Sequence, residues 1–414
     1  MNRSERFSDT DLCVKCGLCL PHCPTYSKTL DENESPRGRI ALIQGWAQGS
    51  LAATPELIRH IDNCLLCRSC EAVCPAYVPY SRLVDRFRCG TGAAGKTPFQ
   101  RFKAAGIRIA LTDQRASRWT ERLLGKPGRS GLNLLKNIGF LNMLGLSELE
   151  AGLPKTREPA HWNDFYPVHG HAERGRVALF LGCTAKLFDT ETVASTLLVL
   201  NRLGISVKLP RMQSCCGALH LHAGDEAGAR KLMERNLAAF DQSDVDAIIT
   251  IASGCGAMLH DYPQFDTTPS SSAFAKRVKD IGQFLAELVW PNDIELNPLA
   301  AKVCIHTPCT LKNVLRAERY GADLLRRVPL LDVTPLPGTL RCCGAAGSYM
   351  LEHPNMAKNL RDDVLKSVTA INPDVLATSN PGCAIHLRAG LAQEGLGRIE
   401  VLHPVTLLAR QLIQ

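Results

Sequence analysis

Apolar residues recur along this chain in three rhythms, and each predicts a different kind of element. In the first, after Ser35-Pro36, Ile40, Ile43 and Ala47 fall on one face of a helix whose first turn Pro36 suits. Leu57, Ile58 and Ile61 make a second short apolar face. From Thr97 to Lys155 the spacing stays helical, but the setting becomes basic. Phe99, Phe102, Ile107, Ile109 and Leu111, then Trp119, Leu123 and Leu124, then Leu132, Leu134, Leu135, Ile138, Leu141, Leu144 and Leu146 alternate with many Arg and Lys residues. This predicts amphipathic helices broken at Gly125-Lys126-Pro127-Gly128, whose apolar stripe either packs inside the subunit or docks on an anionic membrane or a partner. Pro154 to Arg174, punctuated by Pro159, Pro167 and Gly170, reads as linker.

The third rhythm is a set of short, wholly apolar runs alternating with helical stretches, and it occurs twice. In the first copy strands are predicted at Val177–Leu181, Ile205–Leu209 and Ala247–Ile251, with helices at Thr192–Leu203 and Asp225–Phe240. The second copy has a strand at Lys302–Ile305, helices at about Ala317–Arg327 and Met356–Thr369, and a strand at Val375–Ala377. The cysteines agree to one residue: Cys-x31-Cys-Cys-x38-Cys in the first copy and Cys-x32-Cys-Cys-x39-Cys in the second. A duplicated module follows. Strand-helix alternation argues for small parallel-sheet α/β units, in which ligands collect beyond the carboxyl ends of the strands.

Length and charge narrow the class. A chain of 414 residues holds more than one ordinary domain. No secretory pattern follows Met1, so the 18 cysteines are expected in a reducing, cytoplasmic setting, where they read as metal ligands rather than disulfides. No uninterrupted apolar run is long enough to span a bilayer. The net charge of +8 is counted before thiols deprotonate on metal, so it is poor evidence for nucleic acid, and no base-reading element supports such a partner. Gly90-Thr91-Gly92-Ala93-Ala94-Gly95 has the glycine spacing of a dinucleotide loop, but no apolar strand precedes it and it is read as a plain loop.

The most specific chemistry lies near the start. Cys13, Cys16 and Cys19 recur at every third position and Cys23-Pro24 follows; Cys64, Cys67, Cys70 and Cys74-Pro75 repeat the spacing. This is the run that holds cubane clusters in bacterial ferredoxins, where the fourth cysteine of each run ligates the other run's cluster. It therefore assigns Cys13, Cys16, Cys19 and Cys74 to one 4Fe-4S cluster, and Cys64, Cys67, Cys70 and Cys23 to a second. Structural zinc, usually held by two separated cysteine pairs, explains two evenly spaced triplets poorly. Arg37 and Arg39 either offset cluster charge or form a solvated pair at a helix start.

The repeats offer two more thiol sets: Cys183, Cys215, Cys216 and Cys255, and Cys309, Cys342, Cys343 and Cys383. Each is a candidate for a further iron-sulfur or other metal site, the alternative being cysteines that pack as small buried residues. Cys89 and Cys304 fit neither pattern and are read as structural. His220 and His222 are candidate relays or ligands, against the commoner reading of hydrogen-bonded structural histidines. No nucleophile triad is present, so no catalytic residue is assigned.

Together these motifs, with Ser35-Pro36-Arg37-Gly38-Arg39-Ile40, Cys23-Pro24-Thr25-Tyr26, Ser253-Gly254-Cys255-Gly256-Ala257 and Cys342-Cys343-Gly344-Ala345-Ala346-Gly347-Ser348-Tyr349, resemble the iron-sulfur subunit family of glycolate oxidase over nearly the whole chain. The resemblance implies an N-terminal α-rich ferredoxin-like module at 1–96, an amphipathic helical linker at 97–174, and two parallel-sheet α/β cysteine-rich domains at 175–290 and 291–414. It also implies electron transfer from FAD-carrying flavoprotein subunits that oxidise glycolate toward a quinone-type acceptor, with the chain cytoplasmic or peripheral on the inner membrane face. The same motifs occur in electron-transfer proteins for D-lactate and glycerol 3-phosphate. The cysteine-rich subunit of heterodisulfide reductases ends each motif with Cys-x-x-Cys; here the ends read Cys255-Gly256-Ala257-Met258 and Cys383-Ala384-Ile385-His386, which argues against catalytic disulfide chemistry.

Overall fold

The computed structural model describes residues 3–92, 97–113, 116–117, 120, 152–153, 161–170, 172–241, 244–337 and 342–413. The break at 125–128 and the helices predicted beyond residue 120 lie outside these residues.

The N-terminal part has no strand among its described residues. Helices Pro36–Ala47, Pro55–Asp62 and Tyr80–Thr91 bury Ile40, Ile43, Trp46, Leu57, Ile58, Ile61, Leu83, Val84 and Phe87 against Phe7. Phe7 and Phe87 both meet the Trp46 ring edge-on. The helical periodicity around Pro36 is borne out, and Ser35 caps the helix by accepting from the Gly38 N–H. A side chain at Gly38 would collide with the Glu32 carbonyl at 1.9 Å. The expected loop at residue 90 is corrected: Gly90 and Thr91 continue a helix, because Gly90 lies flat against Trp46.

Beneath this core lies a buried ion pair. Arg39 donates to Glu34 at 2.5 Å, and both side chains are at most 5 % exposed. His60 and Asn63 donate to the other Glu34 oxygen at 2.7 and 2.9 Å. Arg39 also reaches the His60 carbonyl at 2.6 Å and the Thr25 hydroxyl at 3.0 Å. The choice left open for the arginines is thus decided separately for each: Arg39 is internal, whereas Arg37 lies at the surface, paired with Glu32 and donating to the Lys15 carbonyl.

The helix Pro98–Thr112 leaves Phe99, Phe102 and Ile109 exposed, while Leu111 packs with Leu153, Leu187, Phe188 and Ile385. The predicted linker contributes an element of its own: β1 (Phe165–Tyr166) adds an antiparallel edge to the first sheet.

That sheet comprises β1, β2 (Gly175–Phe180), β3 (Ile205–Lys208), β4 (Ala247–Thr250) and β5 (Val278–Asp280), in the order β1-β3-β2-β4-β5. The second comprises β6 (Lys302–His306), β7 (Asp332–Pro335), β8 (Val375–Thr378) and β9 (Glu400–Leu402), in the order β7-β6-β8-β9. Apart from β1 the two have the same order and wholly parallel pairing. The duplicated parallel-sheet unit is therefore real in topology. Apolar clusters cover both faces of the first sheet, Val177 and Leu179 on one side and Ala178 and Phe180 on the other. This explains why β2 shows no polar alternation.

The repeats interlock. Val405 and Leu408, from the C-terminal helix Pro404–Ala409, join the core of the first sheet, and the Thr192 and Thr406 hydroxyls meet at 3.1 Å.

Replacing Arg39 by Leu strands the Glu34 carboxylate, which is expected to destabilise the helical module by about 3–5 kcal/mol. The urea midpoint reads the loss. The double variant Arg39→Leu/Glu34→Leu should recover most of it, because no unpaired charge is then left buried.

Candidate metal centres

The two N-terminal runs are wound alike. Lys15 and Gly17 have φ of 57° and 87°, and the matching Leu66 and Arg68 of the second run have 52° and 58°. Left-handed residues at the same two points turn successive N–H groups and cysteines toward one interior. Three of the four are not glycine, and each holds a conformation that costs of order 1–3 kcal/mol outside a site that needs it.

Two cavities result. The first is lined by Cys13, Cys16, Cys19, Cys70 and Cys74; the second by Cys23, Cys64, Cys67 and again Cys70. Each cavity thus draws thiols from both runs. Neither is lined by a carboxylate, and thiols predominate among the possible metal donors of both, His22 being the one imidazole at the second, which suits a cubane iron-sulfur core. The Leu66 N–H and the Tyr80 hydroxyl point at Cys64 Sγ, at 3.4 and 3.5 Å, and Cys23 Sγ lies 3.3 Å from Thr25 Oγ1. Such donors stabilise thiolate once metal displaces the proton. Without it, burial pushes the Cys19 thiol up to about 11 and those of Cys67 and Cys70 higher still.

The two cavities differ in exposure. Cys16 is exposed, and Val14 and Leu18 beside it present apolar surface. The second thiol set is buried, and Cys67 packs in one apolar cluster with Leu65, Cys342, Tyr349 and Cys309. Asn313 donates to the Cys67 carbonyl at 2.7 Å and to Ser69 Oγ at 3.0 Å, and the Tyr349 hydroxyl donates to the Asn63 carbonyl at 3.2 Å. The second repeat is therefore seated on the second run. Sequence reasoning missed this contact, since nothing local to Asn313 announces it.

In each repeat the four motif thiols converge at the carboxyl ends of the strands. In the first repeat Cys183, Cys215 and Cys216 pack in one buried cluster, with Cys255 against it. Contacts from Cys215 and Cys255 hold Cys216 well below the usual thiol range. In the second repeat Cys309 and Cys342 are 3.9 Å apart and Cys343 and Cys383 are 3.2 Å apart. The Gly217 and Gly344 N–H groups donate to Cys215 and Cys342 Sγ, each at 3.5 Å. Both glycines have positive φ, 95° and 88°.

Comparison with known proteins matches this geometry. Residues 9–78 match the 4Fe-4S dicluster domain family, and residues 177–260 and 303–388 match the cysteine-rich domain family. The chain is 33 % identical to the probable glycolate oxidase iron-sulfur subunit of Bacillus subtilis (strain 168), covering 98 % of this chain and 95 % of that one. It belongs to the glycolate oxidase iron-sulfur subunit family. The Escherichia coli (strain K12) glycolate oxidase iron-sulfur subunit is 31 % identical, over 97 % of this chain and 93 % of its own. Lactate utilization protein A of Geobacillus kaustophilus (strain HTA426) is 30 % identical over 55 % of this chain and 96 % of its own.

Membership of the glycolate oxidase iron-sulfur subunit family fixes the cofactor class as 4Fe-4S and the role as electron transfer within an oxidoreductase. The remaining candidates fall outside the thiol sets. His220 is held between Asp225 and the Thr112 hydroxyl, and His222 pairs with Asp85, so both tie elements together. Cys89 is half-buried on the helix Tyr80–Thr91, with its sulfur 4.0 Å from the Leu221 carbonyl, and Cys304 is buried within β6.

The frames around the two Cys-Cys-Gly turns differ in tightness. A Cβ at Gly344 would stand 2.4 Å from the Ala357 carbonyl oxygen, whereas at Gly217 the corresponding approach, to Ala229, is 3.1 Å. Both substitutions to Ala carry left-handed strain of roughly 1–3 kcal/mol. Gly344→Ala adds a backbone clash and should lower the melting temperature more than Gly217→Ala; equal shifts would contradict this account.

Proposed function

We propose that this chain relays electrons from a flavoprotein partner oxidising glycolate to glyoxylate toward a quinone-type acceptor. In this reading Cys13, Cys16, Cys19 and Cys74 hold one 4Fe-4S cluster, and Cys64, Cys67, Cys70 and Cys23 the other. The clusters supply one-electron redox chemistry that no side chain here provides. A flavin on the partner would supply the two-electron, two-proton oxidation of glycolate, and the cysteines named here would hold the one-electron carriers.

The observation carrying the proposal is that each of the two cavities is lined by thiols from both runs, one set including the exposed Cys16 and the other wholly buried. Val14 and Leu18 around the open set suit a docked protein surface. The protein's own work is then to orient sulfur, exclude water from the inner set and hold the two close. We place its parts at 1–96, 97–174, 175–290 and 291–414.

Among the described residues no helix is long and apolar enough to cross a membrane. The helix Pro98–Thr112, basic and with Phe102 78 % exposed, supports peripheral contact with the inner face of the cytoplasmic membrane. The similarity to lactate utilization protein A favours lactate as a second substrate reading.

In the reconstituted complex glycolate should bleach the cluster absorbance; bleaching by D-lactate and never by glycolate would move the assignment. Cys67→Ser should lower iron content and stop quinone reduction while substrate still reduces flavin. Undiminished quinone reduction by that variant would end the proposed path.

A further inference from the structure

One residue near the second repeat's thiols has no counterpart in the first. His306 ends β6 and pairs in register with Thr378 of β8, just as Phe180 ends β2 and pairs with Thr250 of β4. Each stands three positions before its repeat's first motif cysteine. At the same point of a shared frame, one repeat has a phenyl ring and the other an imidazole. Phe180 packs with Cys183, Cys215 and Cys216 in an apolar cluster. A ring nitrogen of His306 and the sulfurs of Cys343 and Cys383 instead lie within 4.8 Å of one another, and all three residues are buried. His306 Nδ1 is 2.9 Å from Thr378 Oγ1. Donation of the Nδ1 hydrogen to that hydroxyl fixes the ring and leaves the imidazole lone pair on Nε2.

We propose that the second repeat binds a thiophilic metal through His306 together with its motif cysteines, a nitrogen donor that Phe180 cannot supply at the matching point of the first repeat. Cys343 and Cys383 share the imidazole's side of the site, and Cys342 and Cys309 complete it on the side that faces Cys67. Imidazole with thiolate suits zinc, or iron singly or in an iron-sulfur core; magnesium and calcium, which demand oxygen, do not fit. Where a Cys-x-x-Cys ending would place its last thiol this chain has His386, and the nitrogen donor enters instead from β6. The inference concerns this repeat only and is independent of the ligand sets assigned to the N-terminal runs.

The test uses the full-length protein, isolated anaerobically. Elemental analysis and X-ray absorption at the zinc and iron edges distinguish the two occupants. Imidazole scattering at the zinc edge, or nitrogen coupling in pulsed electron paramagnetic resonance of an iron centre, reads the ligand. The wild type should show one imidazole signature, and Phe180→Leu should leave it unchanged. His306→Gln should abolish it and release the metal to a chelator at least about 10-fold faster. Should His306→Gln fail to fold, His306→Cys, which keeps a donor, is expected to retain the metal without the nitrogen signature. The proposal falls if the wild type shows no imidazole signature, if the signature persists in either His306 variant, or if no metal is bound beyond that of the N-terminal runs. Loss of the ferredoxin-type clusters would appear separately, as missing 4Fe-4S signals.

Discussion

The buried pairing of Arg39 with Glu34 sets the register of the N-terminal third of the molecule. Taken alone, such a pair is a weak source of stability, because dehydrating both ions offsets most of their attraction. Its importance lies in what it joins. Arg39 holds Thr25, two residues beyond Cys23, while Glu34 holds His60 and Asn63, the latter directly before Cys64. Cys23 closes the first run and Cys64 opens the second, yet both line the same cavity. The ion pair is thus the joint through which two stretches distant in sequence present sulfur to one volume.

The remainder of the molecule is built by reuse. A four-stranded parallel order occurs twice, and in both copies a left-handed glycine after paired cysteines aims an N–H at the first sulfur of the pair. The two N-terminal runs likewise share left-handed residues at matching points. Where copies differ, the surroundings account for it. The turn at Gly344 is crowded by Ala357 on the helix Pro354–Ile371, whose neighbourhood also contains Cys67 and Tyr349, so the second copy is packed from both sides.

Much of this was legible in the amino-acid sequence. The Cys-x-x-Cys runs, the duplicated cysteine spacing and the apolar strands at Val177, Ala247 and Val375 all depend on local pattern, and all were found close to their observed limits. The strands that were not found are β5 and β9, of three residues each, and β7, none of whose four residues is buried, so no apolar run marks them. Phe165–Tyr166 read as linker because an antiparallel edge of two residues carries no alternation. Gly90 misled for another reason: its permissive backbone suggested a loop, whereas its lack of a side chain lets Trp46 pack against the helix. The seating of the second repeat on Cys67 is a long-range contact through Asn313 and Tyr349, and no window of sequence contains both partners.

The seating of the second repeat also bears on how the protein is made. With Asn313 and Tyr349 engaged, Cys67 packs against side chains of the second repeat, and the other three thiols of its set are buried too. A core held by these thiols would be built most readily before the second repeat docks, since docking would then cover Cys67. Oxygen and chelators would then reach the set that includes the exposed Cys16 sooner than the buried one.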